Sequence, residues 1–299
     1  MYKNIFLTGA TGFVGSLILE KLIDNGFNVK ALIRDNSKIK KHYENCEYIK
    51  GDVLDTKNYE RSFNDIDCIV NLVGIIREVK NRNITFDKLH IAATSNLLTI
   101  AEKYGIKRYI QMSANGAANK SYIKYYHSKY KAEELVRNSN IYYTIFRPSI
   151  IFGIRDGFIT MLARNMIAMP FFISFGKGNF PFQLISVQDV ASYFVESINN
   201  DKTFNKTFCL CGNEIYTFKE IVVLIKNMMQ LKRVIIPFPI SLIKIITKML
   251  GYLDSFPITY DQLLMLLKGN VCDDNSIEDV IKIKKISLIE KIADILKEV

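Results

Sequence analysis

Residues 8 to 15 read TGATGFVG, entered by the apolar run Ile5-Phe6-Leu7 and left by the helical spacing of Leu17, Ile18 and Leu22. Three glycines at a strand-to-helix corner constrain the backbone more than any other feature of the chain. Gly9, Gly12 and Gly15 stand where a side chain would obstruct the turn, the approach of a pyrophosphate, or the packing of helix against sheet. The exposed N–H groups and the dipole of the new helix then face an anion. Thr11, Phe13 and Val14, lying between the glycines, join them as candidate cofactor contacts.

Past the turn the pattern is regular. Strand patterns at 4–7, 28–33, 47–50, 68–73, 108–112 and 142–146 alternate with helical patterns that run to about 25 and over about 86–104 and 122–138. Such alternation predicts an α/β fold, a Rossmann-type doubly wound parallel sheet over residues 1–150. Beyond Arg147-Pro148 the pattern loosens, with clustered Phe, Gly and Pro between 170 and 182, a helix near 187–198, and shorter helices after Thr217. Residues 151–299 are expected to form a smaller, mostly helical C-terminal lobe, some of whose elements return to the sheet.

Composition narrows the class. A hydrophobic content of 49% over 299 residues is ample for a core and argues against disorder. The net charge of +10 arises from dispersed lysines, with small clusters only at Lys38-Lys40-Lys41 and Lys282-Lys284-Lys285, so a solvated surface is expected and nucleic acid is not. The five cysteines, Cys46, Cys68, Cys209, Cys211 and Cys272, include no CxxC pair, and only three histidines accompany them. Cys68 and Cys209 lie in apolar strand-like runs, so buried free thiols in a reducing compartment are expected, and no metal site. The chain opens directly on its first strand, leaving no room for a signal peptide, which predicts a cytoplasmic location with a peripheral place at the inner membrane as the alternative. The most apolar stretch, Val234 to Leu253, is interrupted by Pro237, Pro239, Lys244 and Lys248, short of the roughly 18 charge-free residues that span a bilayer.

Two further groups of residues carry chemistry. At the end of the second strand Arg34 follows Ile33 where the adenosine end of a dinucleotide lies, and its planar fork suits a 2′-phosphate, so NADP(H) is preferred over NAD(H). Asp35 beside it argues the other way. Asp52 and Val53 follow the third strand, where Asp52 serves either to accept from the adenine amino group or to cap a helix. Gly74, after the fourth strand, lets the backbone lie close to the cofactor. Tyr125 and Lys129 are four residues apart and share one helix face, with Ser113 upstream at a strand end. An ammonium beside a phenol lowers the phenol's pKa, so Tyr125 is the candidate proton donor, Lys129 its modulator and ribose ligand, and Ser113 a partner for the same substrate oxygen.

In this order the motifs resemble the short-chain dehydrogenase/reductase superfamily. More narrowly, MSANGA at 112–117, YYHSKYKAEE at 125–134, FRPSIIFG at 146–153, SVQDVA at 186–191 and PITYDQLLMLLKGNVCDD at 257–274 are similar to its extended and atypical branch of NAD-dependent epimerase/dehydratase-like proteins. Within that branch they are most like bacterial proteins similar to the NADPH-binding accessory subunit of respiratory complex I. The resemblance covers nearly the whole chain and adds Pro148 to the cofactor contacts. It implies a bound dinucleotide without implying turnover, since some members are reductases, epimerases or dehydratases and others hold NADPH as a structural or sensing ligand. Two functions stand: an oxidoreductase or epimerase/dehydratase using Tyr125 and Lys129 on a small-molecule substrate, and a non-catalytic, NADPH-bound assembly or stability factor for a membrane complex. Active relatives carry an Asn in the helix before the fifth strand, where this chain has His90, either a relay or a packed ring.

The C-terminal lobe offers mainly apolar material. Phe171, Phe172, Phe175, Phe180 and Phe182 either line an apolar pocket or form core. Leu242, Ile243, Ile246 and Leu250 make an apolar stripe beside Lys244 and Lys248, which reads as a core helix or as one resting on a membrane or on a hydrophobic subunit.

Overall fold

Ile5, Phe6 and Leu7 are each wholly buried in strand β1 (Asn4–Thr8), as a strand covered on both faces requires. The computed structural model describes residues 1–253 and 256–299. After β1 come α1 (Phe13–Asp24), β2 (Asn28–Ile33), β3 (Cys46–Lys50), β4 (Cys68–Asn71), α2 (Ala93–Lys103), β5 (Arg108–Met112), α3 (Lys124–Arg137) and β6 (Tyr142–Pro148). The chain continues through β7 (Ile151–Phe152), α4 (Ile159–Ala168), β8 (Phe171–Phe175), β9 (Pro181–Phe182), β10 (Ile185–Ser186), α5 (Val187–Ser197) and β11 (Lys206–Leu210). Last come β12 (Tyr216–Thr217), α6 (Phe218–Met228), β13 (Val234–Phe238), α7 (Ile240–Leu250), α8 (Tyr260–Lys268), α9 (Ile277–Val280) and α10 (Leu288–Leu296).

A seven-stranded sheet runs β11-β6-β5-β4-β1-β2-β3, the Rossmann-type arrangement expected from the alternation. β1 pairs parallel with β2 on one side and β4 on the other, Leu7 standing opposite Ala31 and Val70. Strand order therefore reverses between β1 and β4, and ligands of such sheets bind at the carboxyl ends of the strands beside that reversal. The crossovers flanking β3 carry short 3₁₀ turns, at Asn36–Lys38, Thr56–Asn58 and Glu60–Phe63, in place of full helices. Tyr59 and Phe63 fill the space, the Phe63 ring lying 4.0 Å from that of Phe6. The helix expected over 86–104 begins as a wide π-type turn, Asp87–Ala92, before tightening into α2, and the Thr94 hydroxyl donates to the His90 carbonyl at 2.7 Å across the change.

The chain divides into two compact units. Residues 1–148, 190–209 and 274–283 form the first, residues 149–189, 210–273 and 284–299 the second. Segment 190–209 belongs to the first because buried Arg108 on β5 donates to the carbonyls of Ser197 at 2.8 Å and Ile198 at 3.2 Å, with its guanidinium over the Phe204 ring. The second unit packs α4, α6 and α10 around Leu162, Met166, Ile221, Ile225, Ile292 and Ile295. Phe172 and Phe182 belong to that core, with Phe175 and Phe180 packed against it around Phe218, so the phenylalanine cluster fills the unit.

Cys68 and Cys209 are free thiols as expected, Cys68 buried and Cys209 half-buried, but two other cysteines are paired. Cys211 and Cys272 form a disulfide, their Cα atoms 6.1 Å apart, while Cys46, Cys68 and Cys209 are free. Gln183 brings the two half-cystines together: its amide donates to the Gly212 carbonyl at 2.8 Å and its oxygen accepts from the Cys272 N–H at 3.1 Å. A pairing made through a third, distant residue leaves no trace in cysteine spacing.

Phe63→Ala removes a fully buried ring from beneath β1. The expected loss is about 3–5 kcal/mol of unfolding free energy, read from urea denaturation; a loss under about 1 kcal/mol would mean that this layer is loosely packed.

Candidate functional site

The glycine turn is built by crowding. A Cβ on Gly15 would lie 2.0 Å from the Gly9 carbonyl oxygen, and one on Gly12 3.2 Å from the same atom. Gly9 adopts φ +75°, and its own Cβ would meet Leu72 at 3.2 Å. The Gly12 N–H donates to the Gly9 carbonyl at 3.0 Å, and α1 starts at the next residue with no side chain capping its first N–H groups. Those groups are ready to receive an anion. Thr11, Phe13 and Val14 are partly exposed around the turn.

Arg34 is exposed at the end of β2 and has no ion-pair partner among the described residues. Asp35, which argued against a 2′-phosphate, accepts from the Ser37 N–H at 2.9 Å and hydroxyl at 2.8 Å, and these bonds hold its carboxyl below the ordinary range. Its oxygens thus cap the 3₁₀ turn. Asp52 likewise accepts from the Leu54 N–H at 2.9 Å, a local turn bond, and buried Val53 offers its carbonyl to Tyr59 at 3.0 Å and Asn96 at 3.2 Å.

The end of β4 is clamped. Asn71, fully buried, accepts from the Thr8 hydroxyl at 2.8 Å and donates to Tyr109 at 3.1 Å and Gln111 at 3.0 Å. This network ties the carboxyl ends of β1, β4 and β5. Past it, a Cβ on Gly74 would fall 2.8 Å from Lys129 Nζ and 3.3 Å from His90 Nε2, so glycine there admits both side chains. Lys129 is 4% exposed and donates to the Met112 carbonyl at 3.1 Å, and burial pushes its pKa down to about 8 against the opposing pull of Glu133. His90 is packed and saturated. Its Nε2 accepts from the Ile75 N–H at 3.2 Å, and its Nδ1 pairs with Ser128 Oγ at 2.8 Å while that hydroxyl donates to the Tyr125 carbonyl at 2.8 Å. These partners make it the neutral Nδ1–H form, and burial together with the Lys129 charge drives its pKa down to about 2. Such a ring has no free nitrogen with which to relay protons.

Tyr125 stands on α3 with its ring edge-on to Phe86 and His90, centroids 5.8 and 5.6 Å away. Its hydroxyl has no hydrogen-bond partner among the described residues. The expected lowering of its pKa by Lys129 is absent in this arrangement: burial, with Tyr126 beside it, raises the phenol. Ser113 is buried and donates its proton to Glu133 at 2.5 Å, a carboxylate also held by Arg137 and by both Arg147 Nε, at 2.8 Å, and Nη2, at 2.6 Å. Pro148 accepts from the Asn115 N–H at 2.9 Å in the strand-end loop that carries Ser113.

Sequence reasoning passed over Thr8, Asn71 and Glu133. Asn71 ends an apolar strand on a polar residue, a visible anomaly. Glu133 lies four residues past Lys129 on the same helix, which placed it on the face of the site.

The profile of a family described as NAD(P)H-binding matches residues 9–201. NADH dehydrogenase (ubiquinone) 1 alpha subcomplex subunit 9, mitochondrial, of Arabidopsis thaliana is 28% identical over 243 residues, covering 78% of this chain and 60% of the relative. The NADH-ubiquinone oxidoreductase 40 kDa subunit, mitochondrial, of Neurospora crassa is 27% identical over 251 residues, 81% of this chain and 64% of the relative. The chain thus spans less than two thirds of the length of these two relatives. The crystal structure of UDP-glucose 4-epimerase with UDP-glucose from Thermotoga maritima superposes with a TM-score of 0.77 at 19% identity, covering 99% of this chain and 98% of that one. At such identity the likeness is one of fold.

His90 supplies a pH signature. Its pKa lies near 2 in the fold against 6.5 for a free imidazole, so below pH 6.5 the unfolded chain takes up a proton that the folded chain does not. The contribution is complete above pH 6.5 and falls by about 1.4 kcal/mol for each pH unit below it. Wild type should therefore lose about 2 kcal/mol more than His90→Gln between pH 7 and pH 5 in urea unfolding. An imidazole seen by NMR to titrate near its ordinary pKa in the folded protein would refute this.

Proposed function

This chain belongs to the NAD(P)H-binding family, and from that premise we propose that it holds NADP(H) as a short-chain dehydrogenase/reductase-like protein, with Tyr125 and Lys129 beside a small carbonyl, alcohol or sugar-type substrate. One observation carries the dinucleotide assignment: a Cβ is excluded at Gly15 and strained at Gly9 by φ +75°, and Gly74 lies against Lys129 and His90, all beside the strand-order reversal where such cofactors lie. The residues present fit that group. The first turn of α1 receives the pyrophosphate, Asp52 and Val53 flank the adenine, and Lys129 reaches the nicotinamide ribose. Arg34, exposed and without an ion-pair partner among the described residues, meets a 2′-phosphate and selects NADP(H) over NAD(H).

When bound, the nicotinamide gives or accepts hydride. Tyr125 moves the proton at the substrate oxygen, its hydroxyl being engaged by no other described group. Ser113 is the partner of the same oxygen, as an acceptor. With its proton committed to Glu133, it offers lone pairs and receives a hydrogen bond from a substrate hydroxyl.

A second reading is favoured by those same commitments. Ser113, Lys129 and His90 all have intramolecular partners, which suits a site that retains NADPH as a structural ligand. The likeness to NADH dehydrogenase subunits supports an assembly or stability factor for a membrane complex, with the chain peripheral to that membrane. Mass spectrometry of the nucleotide that travels with the purified protein separates the two: a retained stoichiometric NADPH supports the second, ready exchange the first.

Arg34→Ala should weaken NADPH binding roughly ten- to hundredfold and leave NADH unchanged; equal wild-type affinity for the two cofactors would overturn the NADP(H) assignment. Tyr125→Phe should leave cofactor affinity intact and abolish activity, whereas Lys129→Ala should damage both. Normal growth with Tyr125→Phe in a strain that depends on this protein would decide for the non-catalytic reading.

A further inference from the structure

Helix α7 buries only Ile243 and Thr247 of its eleven residues. Ile245 is 55% exposed and Met249 65%, and Leu242, Ile246 and Leu250 are exposed with them. A core helix does not look like this. Beside it in the second unit lies a two-stranded ribbon in which β13 pairs parallel with β8. Ile236 and Ile173 are register partners there, and both are exposed, as is Val234 at the start of β13. Ribbon and helix are joined: the Gly176 N–H donates to the Phe238 carbonyl at 2.9 Å, and a Cβ on Gly176 would lie 2.9 Å from the Ile240 side chain. Exposed aliphatic residues so grouped mark a contact surface.

Charge identifies what it contacts. Between Glu220 and Asp254 the chain has no acidic residue and five basic ones, Lys226, Lys232, Arg233, Lys244 and Lys248. Lys232, Lys244 and Lys248 are exposed and make no ion pair among the described residues. An aliphatic surface bearing the exposed cations Lys244 and Lys248 on its own helix matches a lipid surface carrying negative headgroups: the apolar side chains enter the acyl boundary and the lysine stems reach back to the phosphates. No helix of the described residues is long and apolar enough to cross a membrane, so contact is in the plane of the interface.

We propose that α7, β13 and β8 form a membrane-docking face that seats on an anionic lipid bilayer. It stands independently of the dinucleotide and gives the peripheral membrane contact a physical basis.

The chain contains no tryptophan, so Met249→Trp installs a lone indole reporter on the face. With protein-free phosphatidylcholine vesicles containing phosphatidylglycerol, its emission should shift to the blue and the protein should cosediment at low salt, with both effects lost at high salt or without phosphatidylglycerol. Lys244→Glu with Lys248→Glu should lower vesicle affinity by about tenfold or more. Ile245→Asp should do the same through the apolar contact. All of these side chains are exposed, so melting temperature and NADPH affinity should not change in the variants. An unshifted indole in anionic vesicles overturns the proposal, including the case where it shifts only in native membranes, which would identify a membrane protein as the occupant. A blue shift that grows with protein concentration without lipid also overturns it, in favour of a second copy.

Discussion

The Gly9 carbonyl and the Gly15 Cα stand so close that a methyl group between them would sit 2.0 Å from the carbonyl oxygen. That approach lets α1 begin directly at the carboxyl end of β1 and pack back on the sheet, with its first N–H groups opening where strand order reverses. The position of the turn depends on its neighbour. Gly9 runs against Leu72, and Leu72 donates its N–H to Thr8 Oγ1 at 3.2 Å while Thr8 donates to Asn71. One buried hydroxyl and one buried amide thus hold the ends of β1 and β4 in register, and the cradle between them is preformed.

Around that cradle the protons are largely assigned. Glu133 has no solvent exposure and is compensated by two guanidiniums, Arg137 and Arg147, together with the Ser113 hydroxyl. A buried carboxylate lacking such partners would be costly, and removing any one of them leaves the others misplaced. This arrangement fixes the polarity of Ser113 as an acceptor toward any ligand. It also leaves Tyr125 as the site hydroxyl free to exchange a proton, and the raised phenol remains protonated through the neutral range. A phenol in that state holds its proton more tightly than a free one, and a cation brought nearer would ease its release.

The parts of this molecule that local chemistry dictates were legible. The glycine turn, the six parallel strands and the Tyr125–Lys129 face arise from steric exclusion, apolar runs and a spacing of four on a helix, each of which is written in adjacent residues. What was hidden depends on distant partners. The Cys211–Cys272 disulfide joins residues 61 apart beside Gln183, and the neutrality of His90 comes from its burial and from the Lys129 charge, a residue far along the chain. The Ser113 bond to Glu133 was hidden for the same reason: its acceptor lies twenty residues away on another element. The short crossovers around β3 escaped because Tyr59 and Phe63 do with two rings what a helix does elsewhere.

The lysines were also legible, but their number says less than the absence of acids between them. Dispersed lysines facing carboxylates would make an ordinary solvated surface, and that holds at Lys30 with Asp65 and at Lys103 with Glu60. From 221 to 253 no carboxylate exists to answer the cations, and the five of them equal half of the chain's net charge of +10. Nucleic acid would call for aromatic or hydrogen-bonding side chains among such cations. The exposed neighbours here are mainly isoleucine, leucine and methionine, with Tyr252 the one strongly exposed aromatic ring among them. Lys244 and Lys248, one turn apart, share a side of α7, and Ile245 and Met249, spaced alike, share the adjoining one. A helix apolar on most of its circumference and unburied leaves surface that water covers poorly, so a second apolar phase beside it lowers the free energy, and the lysines choose a phase bordered by negative charge.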